Sequence, residues 1–142
     1  MLTITINGTP YEAEVEPRTS LADFIRAQGL TGTKVGCEQG VCGACTVQLD
    51  GEPVRACLVL AVQAAGCAVR TIEGLEDGPL QRAFHEQHAL QCGFCTAGIL
   101  MTADAFKREH PEASEQEVRE ALSGHICRCT GYHPIVRAIL SA

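Results

Sequence analysis

The chain has 142 residues, 17 of them acidic and 11 basic, for a formal net charge of −6; readers of nucleic acid and of anionic membrane surfaces carry the opposite balance. Two Tyr, four Phe and no Trp leave few rings to stack on bases. No apolar run approaches the roughly 18 residues that a membrane-spanning helix needs, and Met1 to Ile6 hold neither a basic residue nor a small-residue cleavage site, so no export signal and a soluble cytoplasmic protein are expected.

The period-2 alternation of Leu2, Ile4 and Ile6 with Thr3 and Thr5 predicts a half-buried strand. Asn7-Gly8 is a hairpin signal, and alternation resumes from Tyr11 to Val15 before Pro17 breaks it. Thr19 and Ser20 are candidate caps for a helix with Leu21, Phe24 and Ile25 on one face, ended by Gly29. After a glycine-rich loop come a strand at Thr46–Leu49, an Asp50-Gly51 turn, a strand at Val54–Leu60 and a short one at Ala68–Ile72.

Gly74 to Pro79 has the composition of a linker. Beyond it the periodicity is helical. Pro79 suits a first helical position, with Leu80, Ala83 and Phe84 on one face. Ile99, Leu100, Ala103 and Phe106 line a second helix, Ser114 and Glu117 form a capping box for a third, and Pro134 opens a last, largely apolar one. Two small units are expected, residues 1–76 rich in strands and 77–142 helical, each small enough to need a staple such as a metal.

Nine cysteines are too many for chance, and in a reducing compartment tight spacings point to metal rather than disulfides. Cys37-x4-Cys42-x2-Cys45 with a later Cys57 is the spacing of plant-type [2Fe–2S] sites. The fourth ligand would come from a neighbouring strand, and Gly32, Gly36, Gly40 and Gly43 would let backbone N–H groups close on the sulfurs. Cys92-x2-Cys95 and Cys127-x-Cys129 form a second set of four, the first pair at a helix start that favours thiolate. Spacing alone leaves iron or zinc open there.

The remaining reactive side chains have plainer readings. Cys67 suits a small buried hydrophobe. His85, His88 and His110 suit surface positions, and Glu38 suits a solvated loop charge rather than a general base. His125 and His133 flank the second cysteine pair, with eight cysteines already available for eight ligand positions. No nucleophile–base pair, phosphate loop or carboxylate dyad stands out, so the chain reads as an electron conduit with no catalytic residue of its own.

Three stretches in order, Gly36–Thr46 (GCEQGVCGACT), Gln91–Gly98 (QCGFCTAG) and Ala121–Tyr132 (ALSGHICRCTGY), resemble the small iron–sulfur subunit of the xanthine oxidase, aldehyde oxidase and carbon monoxide dehydrogenase family of molybdenum hydroxylases. The resemblance spans essentially the whole chain. It implies an α+β chain, with an N-terminal β-grasp, ferredoxin-like domain (1–76) followed by a C-terminal four-helix domain (77–142), each holding one [2Fe–2S] cluster. It further implies that Cys92, Cys95, Cys127 and Cys129 ligate a cluster near a molybdopterin on a large subunit, and Cys37, Cys42, Cys45 and Cys57 one facing FAD on a medium subunit. Gln91 and Cys129 match positions that bind the pterin, and the assembly would be a heterotrimer or a dimer of heterotrimers. A free-standing two-cluster ferredoxin is the alternative.

Ala97 replaces a usual Pro and His125 a usual Asn in the pattern, while His133 fills a variable slot. His125 is thereby expected to tune the nearby cluster by a hydrogen bond or, if protonated, by charge.

Overall fold

The computed structural model describes all 142 residues, Met1–Ala142. Leu2–Ile6 (β1) and Thr9–Ala13 (β2) pair antiparallel around Asn7 and Gly8. Both turn residues have positive φ, 52° and 80°, as a two-residue type I′ turn requires. That turn sets Ile6 opposite Thr9, so β2 begins two residues before Tyr11. Pro10 is tolerated because β2 is an edge strand.

Asp50 and Gly51 repeat the device between Thr46–Leu49 (β3) and Glu52–Arg55 (β4). Strand β4 therefore starts before the expected Val54 and stops at Arg55, well short of Leu60. Ala68–Arg70 (β5) completes a sheet of order β2-β1-β5-β3-β4, with β1 and β5 parallel and the other pairs antiparallel. Strand β5 ends before Ile72 because the Asn7 side chain takes the Thr71 backbone N–H at 2.9 Å. Ile72–Gly74 turns into a short 3-10 helix instead, and a second one at Ala61–Ala64 has no counterpart in the sequence pattern.

Leu21–Ala27 (α1) starts at Ser20, whose hydroxyl accepts the Asp23 N–H at 3.0 Å. Its residues Leu21, Phe24 and Ile25 pack with Ile4, Ile6, Val47 and Val69 in one apolar core. The other side of β3 is also covered. Gln48 is 2% exposed, and its Nε2 donates to the Met101 carbonyl (3.0 Å) and to Asp104 (2.8 Å), both on Thr96–Glu109 (α3). Asp104 also pairs with Arg70 at 3.1 Å, and Arg108 returns to the Gln48 amide oxygen at 3.2 Å. A buried amide is costly unless its partners are present; here the network closes and ties the sheet to α3.

Around α3 stand Pro79–Glu86 (α2), Glu115–Ala121 (α4) and His133–Ser141 (α5). Their second core includes Phe84, Ile99, Val118, Leu122, Ile135 and Ile139. Ser114 and Glu117 form the expected capping box. The apolar residues Ile135, Val136 and Ile139 of α5 are buried in the chain's own core. The chain is α+β, with a mixed five-stranded sheet and five α-helices. No helix is long and apolar enough to cross a membrane.

Candidate metal centres

Cys37, Cys42 and Cys45 lie on the loop between α1 and β3, and Cys57 lies in the turn after β4. The expectation of a strand position for Cys57 is corrected by the early end of β4. The loop folds its amides onto the sulfurs. Cys37 Sγ accepts N–H groups from Gln39 (3.4 Å), Val41 (3.3 Å) and Cys42 (3.4 Å). Ala44 donates to Cys42 Sγ at 3.5 Å and Cys57 to Cys45 Sγ at 3.4 Å. These amides hold the Cys37 thiol down to about 6, the Gln39 and Cys42 N–H groups contributing most. Burial pushes Cys45 up to about 11, with the Cys57 and Cys42 thiols adding to it.

Gly43 shows why the loop needs glycine. Its φ of 78° is left-handed, and a Cβ there would lie 2.5 Å from His125 Nδ1 and 2.7 Å from the Gly124 carbonyl. Gly32 belongs elsewhere: its N–H donates to Glu73 Oε2 at 2.9 Å and its Cα abuts Ile72, away from the sulfurs. Glu38 is an exposed loop residue.

Cys92 and Cys95 lead into α3, and Cys127 and Cys129 lie between α4 and α5. Phe94 donates its N–H to Cys92 Sγ at 3.5 Å. The Tyr132 hydroxyl accepts the Cys127 N–H at 2.8 Å and donates to the His125 carbonyl at 3.0 Å. Thr130 Oγ1 is 3.1 Å from Cys127 Sγ. The expectation that the start of α3 favours thiolate fails at Cys95. Burial, reinforced by the facing Cys127 and Cys92 thiols, pushes it up to about 12, outweighing the helix dipole. Such a thiol is neutral when free, so metal loading would displace its proton. At Cys127 burial works upward, but hydrogen bonds led by Thr130 bring the thiol below its ordinary value.

The two sets meet along a seam. Ile126 donates its N–H to the Cys42 carbonyl at 2.9 Å, and a cavity of about 230 Å³ is lined by Cys42 together with Cys92, Cys95, Cys127 and Cys129. Gly98 of α3 sits against the Gly43 carbonyl with no room for a side chain. Arg55 donates to the Gly124 carbonyl (2.8 Å) across the same seam, while its other terminal nitrogen donates to Thr46 Oγ1 (2.8 Å) on the neighbouring strand. Thr96, directly after Cys95, has a buried hydroxyl with no partner in the chain. Convergent amide donors, two four-thiol sets and a spare buried hydroxyl suit iron–sulfur clusters. The thiols of neither set are drawn in to the spacing at which three ligands share one ion.

His125 is 3% exposed, and its Nε2 shares a hydrogen bond with Thr102 Oγ1 at 2.8 Å. Burial first, and Arg55 second, push it down to about 4. It is therefore neutral near pH 7, and the expected influence through a protonated ring does not operate there. His85, His88, His110 and His133 are exposed. Cys67 is half-buried beside Asp50 rather than in the core. Helix α3 forms with Ala97 in its first turn, without the usual Pro.

Gln91 and Cys129, both exposed, are brought together: Gln91 Nε2 donates to the Cys129 carbonyl at 3.0 Å. Sequence reasoning missed Thr130, Tyr132, Ile126 and Arg55. None carries a spacing signal; Ile126, Thr130 and Tyr132 lie in the Ala121–Tyr132 stretch that carries the resemblance, but the resemblance assigns them no role, and the left-handed φ of Tyr132, 70°, is visible only in the fold.

Residues 4–90 match the model of a 2Fe-2S iron-sulfur cluster binding domain, and residues 71–140 match that of a [2Fe-2S] binding domain. The chain is 56% identical to the caffeine dehydrogenase subunit gamma of Pseudomonas sp. (strain CBB1), over 99% of this chain and 89% of the relative. It is 44% identical to the xanthine dehydrogenase iron-sulfur-binding subunit of Escherichia coli O157:H7, over 96% and 89%. In structure it matches quinoline 2-oxidoreductase from Pseudomonas putida 86 with a TM-score of 0.94 and 57% identity, covering 98% of this chain and 89% of that one. The aldehyde oxidoreductase from Desulfovibrio desulfuricans ATCC 27774 matches at 0.93 and 42% identity, covering 99% of this chain but 16% of that much longer one.

Proposed function

This chain belongs to the small iron–sulfur subunits of the xanthine oxidase, aldehyde oxidase and carbon monoxide dehydrogenase family, the molybdenum hydroxylases, and from that premise we propose that it carries electrons between two other subunits of an oxidoreductase. The donor would be a molybdopterin on a large subunit and the acceptor FAD on a medium one, in a cytoplasmic heterotrimer or a dimer of heterotrimers. Caffeine and xanthine dehydrogenases and quinoline 2-oxidoreductase among the relatives support a nitrogen heterocycle as the substrate class.

In this reading Cys37, Cys42, Cys45 and Cys57 hold one [2Fe–2S] cluster in a β-grasp, ferredoxin-like domain, and Cys92, Cys95, Cys127 and Cys129 hold another in a four-helix domain. The segregation of two apolar cores, one around the sheet and one among α2 to α5, supports that division. Each cluster, when bound, supplies reversible one-electron chemistry. The chain's own part is to hold the two sets side by side and to bias them. Hydrogen bonds to ligand sulfurs favour the reduced state. Cys37, Cys42 and Cys45 receive amides from Gln39, Val41, Cys42, Ala44 and Cys57, whereas the second set receives fewer, the Phe94 N–H at Cys92 and the amides of Cys129 and Thr130 at Cys127. That inequality makes the first set the stronger electron trap. Gln91 and Cys129, joined and exposed, would face the pterin.

The observation that carries the reading is the seam, where Ile126, next to Cys127, bonds the carbonyl of Cys42. It is tested by low-temperature EPR of the dithionite-reduced protein with iron and acid-labile sulfide assays. Two distinguishable [2Fe–2S] signals and a co-purifying molybdenum-containing chain are expected. One signal would reopen the second set as a zinc site, and a stable two-cluster monomer from the native source would favour a free-standing ferredoxin.

A further inference from the structure

We propose that the hydroxyl of Thr130 sets the reduction potential of the cluster held by the second cysteine set, and that Tyr132 positions it; the proposal rests on the reading above that Cys127 is a cluster ligand. Thr130 Oγ1 lies 3.1 Å from Cys127 Sγ. A ligating thiolate carries no proton, so in that pair only the hydroxyl can donate. The hydroxyl oxygen in turn accepts the Tyr132 backbone N–H at 3.1 Å, which occupies a lone pair and leaves the hydrogen free to turn to sulfur.

Two features make this contact distinctive. Apart from the thiols themselves, every other hydrogen bond to a sulfur of the eight candidate ligands comes from a backbone amide, those of Cys129 and Thr130 at Cys127 included, and the Thr130 hydroxyl is the one donor from a side chain other than cysteine. The backbone N–H of Cys127 itself is diverted to the Tyr132 hydroxyl at 2.8 Å. The left-handed φ of Tyr132, 70°, and its second hydrogen bond, to the His125 carbonyl, hold both arms of the loop.

A hydrogen-bond donor at a ligand sulfur draws electron density off the iron and stabilises the more negative, reduced cluster. On reduction by dithionite one electron enters the cluster, no bond at Thr130 breaks and the hydroxyl proton stays on oxygen. Only its attraction to the sulfur strengthens. Thr130 is thus a positioning residue acting through Cys127, and its hydroxyl adds to the amides that reach the same sulfur.

The test is an EPR-monitored redox titration of the full chain carrying its clusters, together with whatever chains accompany it. Wild type is compared with Thr130→Val and Thr130→Ser. Thr130→Val is expected to shift the midpoint of one cluster to more negative potential and leave the other unmoved. Thr130→Ser, which keeps the hydroxyl, is expected to restore it. Unchanged midpoints in Thr130→Val, or equal shifts in both variants, would overturn the proposal. Loss of the second signal in Thr130→Val with retention in Thr130→Ser would also overturn it, by assigning the hydroxyl to holding the cluster. Absence of iron from the wild type would instead sink the underlying reading, so the two failures are distinct.

Discussion

The backbone N–H of Ile126 donates to the carbonyl of Cys42 across 2.9 Å, joining the loop of one cysteine set to the loop of the other. Cys42 is a candidate ligand of the first set, and Ile126 immediately precedes a candidate ligand of the second. A path through the two backbones, closed by one hydrogen bond, therefore links the two sulfurs. Two paramagnetic clusters connected so closely should sense one another. In the fully reduced protein each EPR signal is expected to be broadened or split by the other. Cys129→Ser should remove the second signal and sharpen the first. Loss of both signals would show that the two sites do not assemble independently.

The same seam leaves no room at two glycines. Gly98→Ala gains about 1 kcal/mol of helix propensity, yet its methyl would run into the Gly43 carbonyl. Gly43→Ala adds a left-handed φ to a clash with His125 and Gly124. Strain and overpacking together make a cost of about 2–4 kcal/mol expected for Gly43→Ala, with a net loss for Gly98→Ala as well. Urea unfolding followed by far-UV circular dichroism checks both. A stabilised Gly98→Ala would show that α3 can slide away from the loop.

Asp104 is the hub between sheet and α3, accepting from Gln48 (2.8 Å) and Arg70 (3.1 Å) with Arg108 3.6 Å away. Its side chain is 19% exposed. Asp104→Ala leaves the buried Gln48 amide short of a partner, at an expected cost of about 1–3 kcal/mol. A matched change at Arg119→Ala, in an exposed pair with Glu115, should cost under about 1 kcal/mol. Equal losses at the two sites would contradict the network's role.

Glu117 titrates with the capping box. The Ser114 backbone N–H, then its hydroxyl, hold the Glu117 carboxyl below its ordinary value of 4.5. A carboxylate whose folded pKa is depressed stabilises the fold above its unfolded pKa and loses that contribution as pH falls through the folded one. The wild type should therefore lose helix stability in the acid range below the ordinary Glu value, and Glu117→Gln should flatten that part of the profile. Far-UV circular dichroism against pH reads it, and superimposable acid profiles would refute it.

Much of this was legible in the residues themselves. Helix caps are local, so Ser20 and Ser114 marked two helix starts, and Asn7-Gly8 and Asp50-Gly51 marked two hairpins. The bounds of β2 and β4 slipped because a two-residue turn begins its second strand at once, before the apolar alternation becomes visible. Cysteine spacing picked out Cys37, Cys42 and Cys45 on one loop and two close pairs, Cys92 with Cys95 and Cys127 with Cys129, because a loop that wraps a cluster is built from near neighbours in sequence.

Other features come from segments far apart in the chain. Thr46 and Gln48 alternate as if one face of β3 met water, but α3 covers it, and only the fold supplies Asp104 and the Met101 carbonyl to the buried amide. The start of α3 argued for a thiolate at Cys95, until packing buried it beside Cys127 and raised its pKa. Sequence by itself determined most of the elements, their caps and the close cysteine clusters Cys37–Cys42–Cys45, Cys92–Cys95 and Cys127–Cys129, because those depend on neighbours a few residues apart. Tertiary structure alone decided that Gly43 meets His125, that Ile126 meets Cys42 and that the two sets share a seam, because burial and long-range hydrogen bonds exist only once the chain has closed on itself.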